Sequence, residues 1–503
     1  MEQAWQALDG AGETKTLTEL FAGEPDRLDR LVLDACGIRF DFAKTHLDAR
    51  LIEGFAALAD AQDLAGRREA LFAGAIVNPT EERAAEHSAE RGEGAPDSVE
   101  QARRFHARMR TLIDAVEAEA FGPVRHVLHV GIGGSALGPE LIVDALGREA
   151  GRYDTAIVSN VDGSALAQAI RHFDPHSTLL VIASKTFTTT ETMLNAASAL
   201  QWMEENGVAD PYGRVIAVTA SPDKALEFGV DETRILPFSE TVGGRFSLWS
   251  SIGFPAALAL GWTAFEELLE GAAEMDRHFR HSPAAANVPV LAAFVDRTYA
   301  NLRGCATRAV FAYDERLRLL PPYLQQLEME SNGKSVRLDG SPVGRATAPI
   351  TWGGVGTDAQ HAVFQLLHQG THIVPVEFIA CVEPGHSMAF DHHAQLLSNC
   401  FAQGAALMAG RRSDDPHRSY PGDRPSTTIL LDRLDPRTLG ALLAFYEHRV
   451  FANAVLLGIN PFDQFGVELG KDMARAIDMP GALDFDPSTQ ALIDRAFGIE
   501  GEG

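Results

Sequence analysis

Between residues 125 and 219 one pattern repeats: a short apolar run, a glycine- or threonine-rich turn, then an amphipathic stretch of helical spacing. The runs are His126 to Val130, Thr155 to Ser159, Leu179 to Ala183 and Val215 to Thr219. Short apolar runs separated by helices specify parallel strands joined by crossovers. The chain is therefore expected to be an α/β protein with a doubly wound parallel sheet, its ligand site outside the carboxyl ends of the strands. The alternation returns after residue 300, with strands at Arg308 to Ala312, Ala348 to Trp352, His372 to Ala380 and Thr427 to Leu431. Helical spacing predicts helices over 316–330, 359–368, 387–409, 438–457 and 464–477.

A chain of 503 residues exceeds one ordinary core. Residues 1–120 read as a helical segment without β-branched runs, packed on the later domains, with a polar loop or boundary over 81–98. Residues 121–262 are expected to form a first α/β domain and 263–503 a second, the latter carrying C-terminal helices.

The net charge of −26 argues against nucleic acid and anionic membrane as partners. No stretch approaches the roughly 20 apolar residues needed to span a bilayer. The acidic start of the chain lacks the pattern of a secretory signal. The four cysteines (Cys36, Cys305, Cys381, Cys400) are dispersed, which suits a reducing cytoplasm and argues against a thiolate zinc site. An anionic ligand would have to be held by a local positive site against an unfavourable overall field. Of only six lysines, Lys185, Lys334 and Lys471 fall inside glycine- or threonine-rich motifs, where a compact point charge is useful.

The segment QLEMESNGK, Gln326 to Lys334, puts Gln326 and Glu330 four apart on one helix face, ahead of a Ser-Asn-Gly stop. A carboxylate at such a helix end can reach into a cleft as a base. The alternative is that Glu328 and Glu330 belong to a solvated face. The turn Gly131-Ile-Gly-Gly-Ser135 follows a strand and opens a helix, so its amides favour an anion. With Ala136 it also fits G-x-G-x-x-A, although no acidic residue follows at the spacing a ribose hydroxyl requires. SKTFTTTET offers the hydroxyls of Ser184, Thr186, Thr189 and Thr190 beside Lys185, a set suited to a phosphate monoester. It could equally be a threonine-rich helix cap. Glu191, next in line, could cap the helix or orient an imidazole. Arg245, flanked by Gly243 and Gly244, could stabilise an oxyanion. His361 lies early in a helix, and no histidine spacing matches a metal site. Gln464 and Lys471, seven apart, are expected on one face of the last helix.

Taken in order, GIGGSALGP, SKTFTTTET, GGRFSLWSSIGFP, QLEMESNGK, GTDAQHAVFQLLHQGTHIVP and NPFDQFGVELGK resemble the phosphoglucose isomerase family over residues 125–475. The resemblance implies two tandem sugar-isomerase domains, a homodimer, and interconversion of glucose 6-phosphate and fructose 6-phosphate without metal or cofactor. It implies that Glu330 shuttles the proton between C2 and C1 and that Arg245 stabilises the enediolate. His361 would open the sugar ring, oriented by Glu191, with Lys471 beside the ring oxygen. Ser184, Lys185, Thr186 and Thr189 would hold the phosphate; Gly134, Ser135, Gln326 and Gln464 would line the sugar. The histidine would come from the neighbouring subunit. Phe465 stands where Trp is common in the family, and Pro461 replaces a more usual polar residue. Two other classes stay open on the residues alone: a sugar-phosphate sensor, which needs no Glu330, and a dinucleotide-dependent oxidoreductase resting on the Gly131 turn.

Overall fold

The structure, a computed structural model, describes residues 2–10, 15–477, 479 and 484–497, the side chain of Glu149 excepted. Met1–Pro461 forms one compact unit and Phe462–Gly503 a second. The end of the expected second domain, 498–503, lies outside the described residues.

Two sheets organise the first unit. One takes β3 (His126–Val130), β4 (Asp154–Val158), β5 (Thr178–Ala183), β6 (Val215–Thr219) and β7 (Ile235–Pro237) in the order β4-β3-β5-β6-β7, all parallel. Every residue of β5 and β6 is buried, as strands covered on both faces must be. The chain steps from β3 outward to β4, then returns to the other side of β3 as β5. The order reverses between β3 and β5, and the turns after Val130 and Ala183 open side by side at that reversal.

The other sheet takes β8 (Thr307–Tyr313), β9 (Ile350–Val355), β10 (Val376–Cys381) and β11 (Ser426–Leu431) as a parallel set. Its far edge departs from expectation. The N-terminal segment, read as helical, supplies a hairpin of β1 (Val32–Ala35) and β2 (Ile38–Asp41) that pairs antiparallel with β11. Its two-residue turn uses Cys36 at φ 55 and Gly37 at φ 73, the left-handed pair that a tight hairpin requires.

The helix Pro436–Leu457 is buried on all sides from Thr438 to Leu457, so it runs through the core of the unit. It crosses the helix Trp262–His281 at backbone contact. A Cβ on Gly440 would lie 2.0 Å from the Leu268 carbonyl oxygen, and one on Gly271 would lie 1.8 Å from that of Arg437.

Polar residues on the buried helix are satisfied by partners distant in sequence. Arg449 bonds Asp296 and reaches Glu377 at 2.6 Å; Asp296 also receives Arg308 at 3.2 Å. Burial alone would raise the Asp296 carboxyl, and Arg449 and Arg308 outweigh it, holding the group below the ordinary carboxylate range. Residues 81–98 are largely turn and loop up to the helix that starts at Pro96. Within them His87, Ser88, Glu90 and Arg91 are buried, and Arg91 pairs with Asp276 at 2.7 Å and with Glu447 at 2.5 Å.

Candidate active site

The helix carrying QLEMESNGK starts at Leu320, later than expected, with Pro321 in its first turn. From Gln326 to Glu330 it widens into a π-turn, a feature concentrated at functional sites. The two carboxylates part ways there. Glu328 is buried, 3.4 Å from Arg308 and 3.5 Å from the Asn332 amide, which also donates to the Val450 carbonyl. Glu330 is only partly buried, and Gln326 Nε2 donates to its Oε2 at 2.8 Å. The helix ends at Asn332, where the Ser-Asn-Gly stop was expected, although Gly333 is not left-handed. Lys334 closes the helix end: its Nζ donates to the carbonyls of Glu330 and Ser331, both at 2.9 Å.

Arg245 rises from the tight turn Gly244–Trp249 and is 3% exposed. Its Nη1 donates to Glu330 Oε1 at 2.9 Å, its Nε to Ser331 Oγ at 2.6 Å, and its Nη2 to the Pro461 carbonyl. Below it Phe246 stacks on the buried ring of His87, centroids 4.7 Å apart. Further along the turn, Trp249 Nε1 donates to Glu447 at 2.7 Å. His87 of the 81–98 segment and Glu447 of the core helix thus both hold the turn that aims the guanidinium.

The glycine turn after β3 lies against the Arg245 turn and Gln326. A Cβ on Gly134 would sit 2.1 Å from the Gly244 carbonyl oxygen, so only glycine lets the two turns touch. A Cβ on Gly133 would meet Gln326 Nε2 at 2.9 Å, which places the Gln326 amide over this turn. His129, fully buried beneath it, donates from Nε2 to the Ser135 carbonyl at 2.7 Å. Burial lowers this imidazole to about 4, against the bond to Ser135, so it is neutral near pH 7.

At the end of β5, Ser184 Oγ and Thr189 Oγ1 lie 3.0 Å apart, and Ser184 Oγ accepts the Phe187 amide at 3.1 Å. Phe187 takes a left-handed φ of 53, which turns the chain into the helix Thr190–Glu205 and leaves Thr186 and Thr188 outside, bonded to each other at 2.9 Å. Lys185 points to neighbouring backbone: its Nζ donates to the carbonyls of Glu240 at 2.7 Å and Val242 at 3.1 Å. Burial first, then Arg83 nearby, lowers this ammonium to about 8. Glu191 sits half-buried in the first turn of the helix.

The chain as a whole is similar to known proteins. The model of the family described as phosphoglucose isomerase matches residues 41–493. The chain belongs to the phosphoglucose isomerase family. It is 74% identical to glucose-6-phosphate isomerase of Rhizorhabdus wittichii, over 98% of this chain and 99% of the relative. It is 62% identical to that of Zymomonas mobilis, over 99% and 98% respectively. A crystal structure of glucose-6-phosphate isomerase from Chlamydia trachomatis superimposes with a TM-score of 0.90 at 32% identity, covering 99% of this chain and 98% of that one.

Glu330 thus bonds Arg245 and Gln326, and Gly133 and Gly134 pack against Gln326 and Gly244, on the turn after β3 that neighbours the threonine turn after β5. His361 is exposed on the helix Gly356–Gln369. Gln464 and Lys471 belong to the second unit. They do not share a helix face as expected: the helix begins at Glu468, and Gln464 stands before it at φ −153. Both are exposed. The anchoring parts played by Lys334, His129 and the 81–98 segment were not foreseen from the sequence, and only the scarcity of lysine pointed to the first.

Proposed function

We propose that this chain is an aldose–ketose isomerase interconverting glucose 6-phosphate and fructose 6-phosphate through a cis-enediolate. One observation carries the reading: a partly exposed carboxylate, Glu330, held by a buried guanidinium, Arg245, at a glycine turn next to a hydroxyl-rich turn. Moving a carbonyl between adjacent carbons needs one base to take and return a proton, and a cation for the oxyanion formed between. Glu330 removes the C2 proton and delivers it to C1. Arg245, with every guanidinium nitrogen already aimed, stabilises the charge that develops on oxygen. Ser184, Thr186 and Thr189 supply hydroxyls to the phosphate, and Lys185 adds positive charge while tying their turn to the strap that leads to Arg245. Gly134, Ser135 and Gln326 line the sugar.

Ring opening needs a second acid–base group working near neutrality, which suits an imidazole. We assign it to His361 of the partner subunit in a homodimer, oriented by Glu191, with Lys471 beside the ring oxygen. The exposure of His361 in its own chain supports this assignment. The two sheets support tandem sugar-isomerase domains over 121–262 and 263–503, with 1–120 adding the β1–β2 hairpin to the edge of the second sheet. Dispersed cysteines support a cytoplasmic location. Among the described residues, no three of His, Cys, Asp and Glu are grouped to hold a metal ion, and no helix is long and apolar enough to cross a membrane.

The test is a coupled assay that supplies fructose 6-phosphate in EDTA and follows glucose 6-phosphate. Sustained turnover is expected. Activity that disappears with the chelator would assign the chain to metal-dependent chemistry. Glu330→Gln that still binds the phosphate ester but no longer turns over separates an enzyme from a sugar-phosphate sensor.

A further inference from the structure

We infer that Ser331 is a positioning residue for the reaction, setting the plane of the Arg245 guanidinium that faces Glu330. The inference rests on the proposed isomerase activity. Glu330 and Ser331 are consecutive on one helix, yet both bond the same guanidinium, at Nη1 and Nε respectively. In a regular α-helix with about 3.6 residues per turn, successive side chains diverge by roughly 100°. The π-turn that ends at Glu330 has more residues per turn and so brings successive side chains closer around the axis.

A guanidinium is a rigid plane of five donors, so bonds from two of its nitrogens to acceptors on one helix fix its rotation. Glu330 cannot hold that plane through the cycle. When the carboxylate takes up the substrate proton, its bond to Nη1 loses the strength that charge gave it. At that moment the enediolate is present and the cation must stay aimed. Ser331 Oγ and the Pro461 carbonyl are neutral acceptors whose bonds persist in every protonation state of Glu330. Ser331 is fully buried, so water does not stand in for it.

The experiment measures kcat and KM for fructose 6-phosphate, in EDTA, for the wild-type chain, Ser331→Ala, Arg245→Lys and the double variant, together with inhibition by inorganic phosphate. Ser331→Ala is expected to lower kcat about 30- to 100-fold, with KM and phosphate inhibition within about twofold. Because Ser331 acts through Arg245, adding Ser331→Ala to Arg245→Lys should lower kcat less than about threefold further. A folded Ser331→Ala with wild-type kcat, a loss confined to KM, or full additivity in the double variant would each overturn the inference. An inactive wild-type chain would instead overturn the isomerase reading, and the inference with it.

Discussion

Arg245 Nη1 lies 2.9 Å from Glu330 Oε1, with the arginine side chain 2% exposed and the glutamate 19%. The cation is locked into the protein and the carboxylate stays partly exposed. This asymmetry suits a site in which the base must meet substrate and the oxyanion's partner must not move.

Removing the base should abolish proton transfer and spare binding. Glu330→Gln keeps an oxygen for Arg245 and is expected to lower kcat at least about 1,000-fold with KM changed less than about threefold. Steady-state kinetics with fructose 6-phosphate reads both. Arg245→Lys keeps the charge but cannot reach Glu330, Ser331 and Pro461 together, so kcat should fall about 100-fold or more.

If His361 serves the neighbouring subunit, two dead variants should rescue each other. Glu330→Gln and His361→Gln homodimers, dissociated, mixed and reassembled, would yield heterodimers with one intact site each, roughly a quarter of wild-type activity overall. A histidine acting within its own chain predicts no recovery. The measurement is activity of the reassembled mixture against each variant treated alone.

Acid should destabilise the fold through its buried imidazoles. His129 is lowered to about 4 by burial, and His87 is also held below the ordinary imidazole range by burial and by Arg91. A depressed group contributes fully above its unfolded value, near 6.5, and that contribution is lost as pH falls toward the folded value. For His129 the loss between pH 6.5 and 4 is about 3 kcal/mol at most. Thermal unfolding across that window should show Tm falling with pH, and His129→Gln should flatten the slope.

The helix crossing in the core admits no side chain. Gly440→Val would place a branched carbon where the Leu268 carbonyl oxygen lies 2.0 Å from a Cβ, forcing the helices apart. We expect a loss of about 3 kcal/mol or more, read by urea denaturation.

The strands near the site were legible because each is an apolar run buried on both faces, and β3, β5 and β6 fall within a residue of expectation. The β1–β2 hairpin was not, because charged residues such as Asp34 and Arg39 interrupt its runs at a sheet edge; the Cys36-Gly37 turn was its one local signal. Composition pointed to the loop at 81–98 and missed its buried part, 87–91. A polar segment normally marks surface, and Arg91 can be buried only because Asp276 and Glu447, far along the chain, meet it. The pairing of Gln326 with Glu330 followed from spacing, whereas the π-turn and the inward Glu328 depend on Arg308 and Val450, which no local pattern encodes. Lys185 and Lys334 carry compact charge as the sequence suggested, but both spend their bonds on main-chain carbonyls.

The most direct test is deuterium incorporation during conversion of fructose 6-phosphate to glucose 6-phosphate in D2O, followed by proton NMR at C2 of the product. A single exchangeable carboxylate predicts deuterium at C2 with the wild-type chain and none with Glu330→Gln over the same period. Product that forms free of deuterium, or labelling by Glu330→Gln at the wild-type rate, would contradict the account.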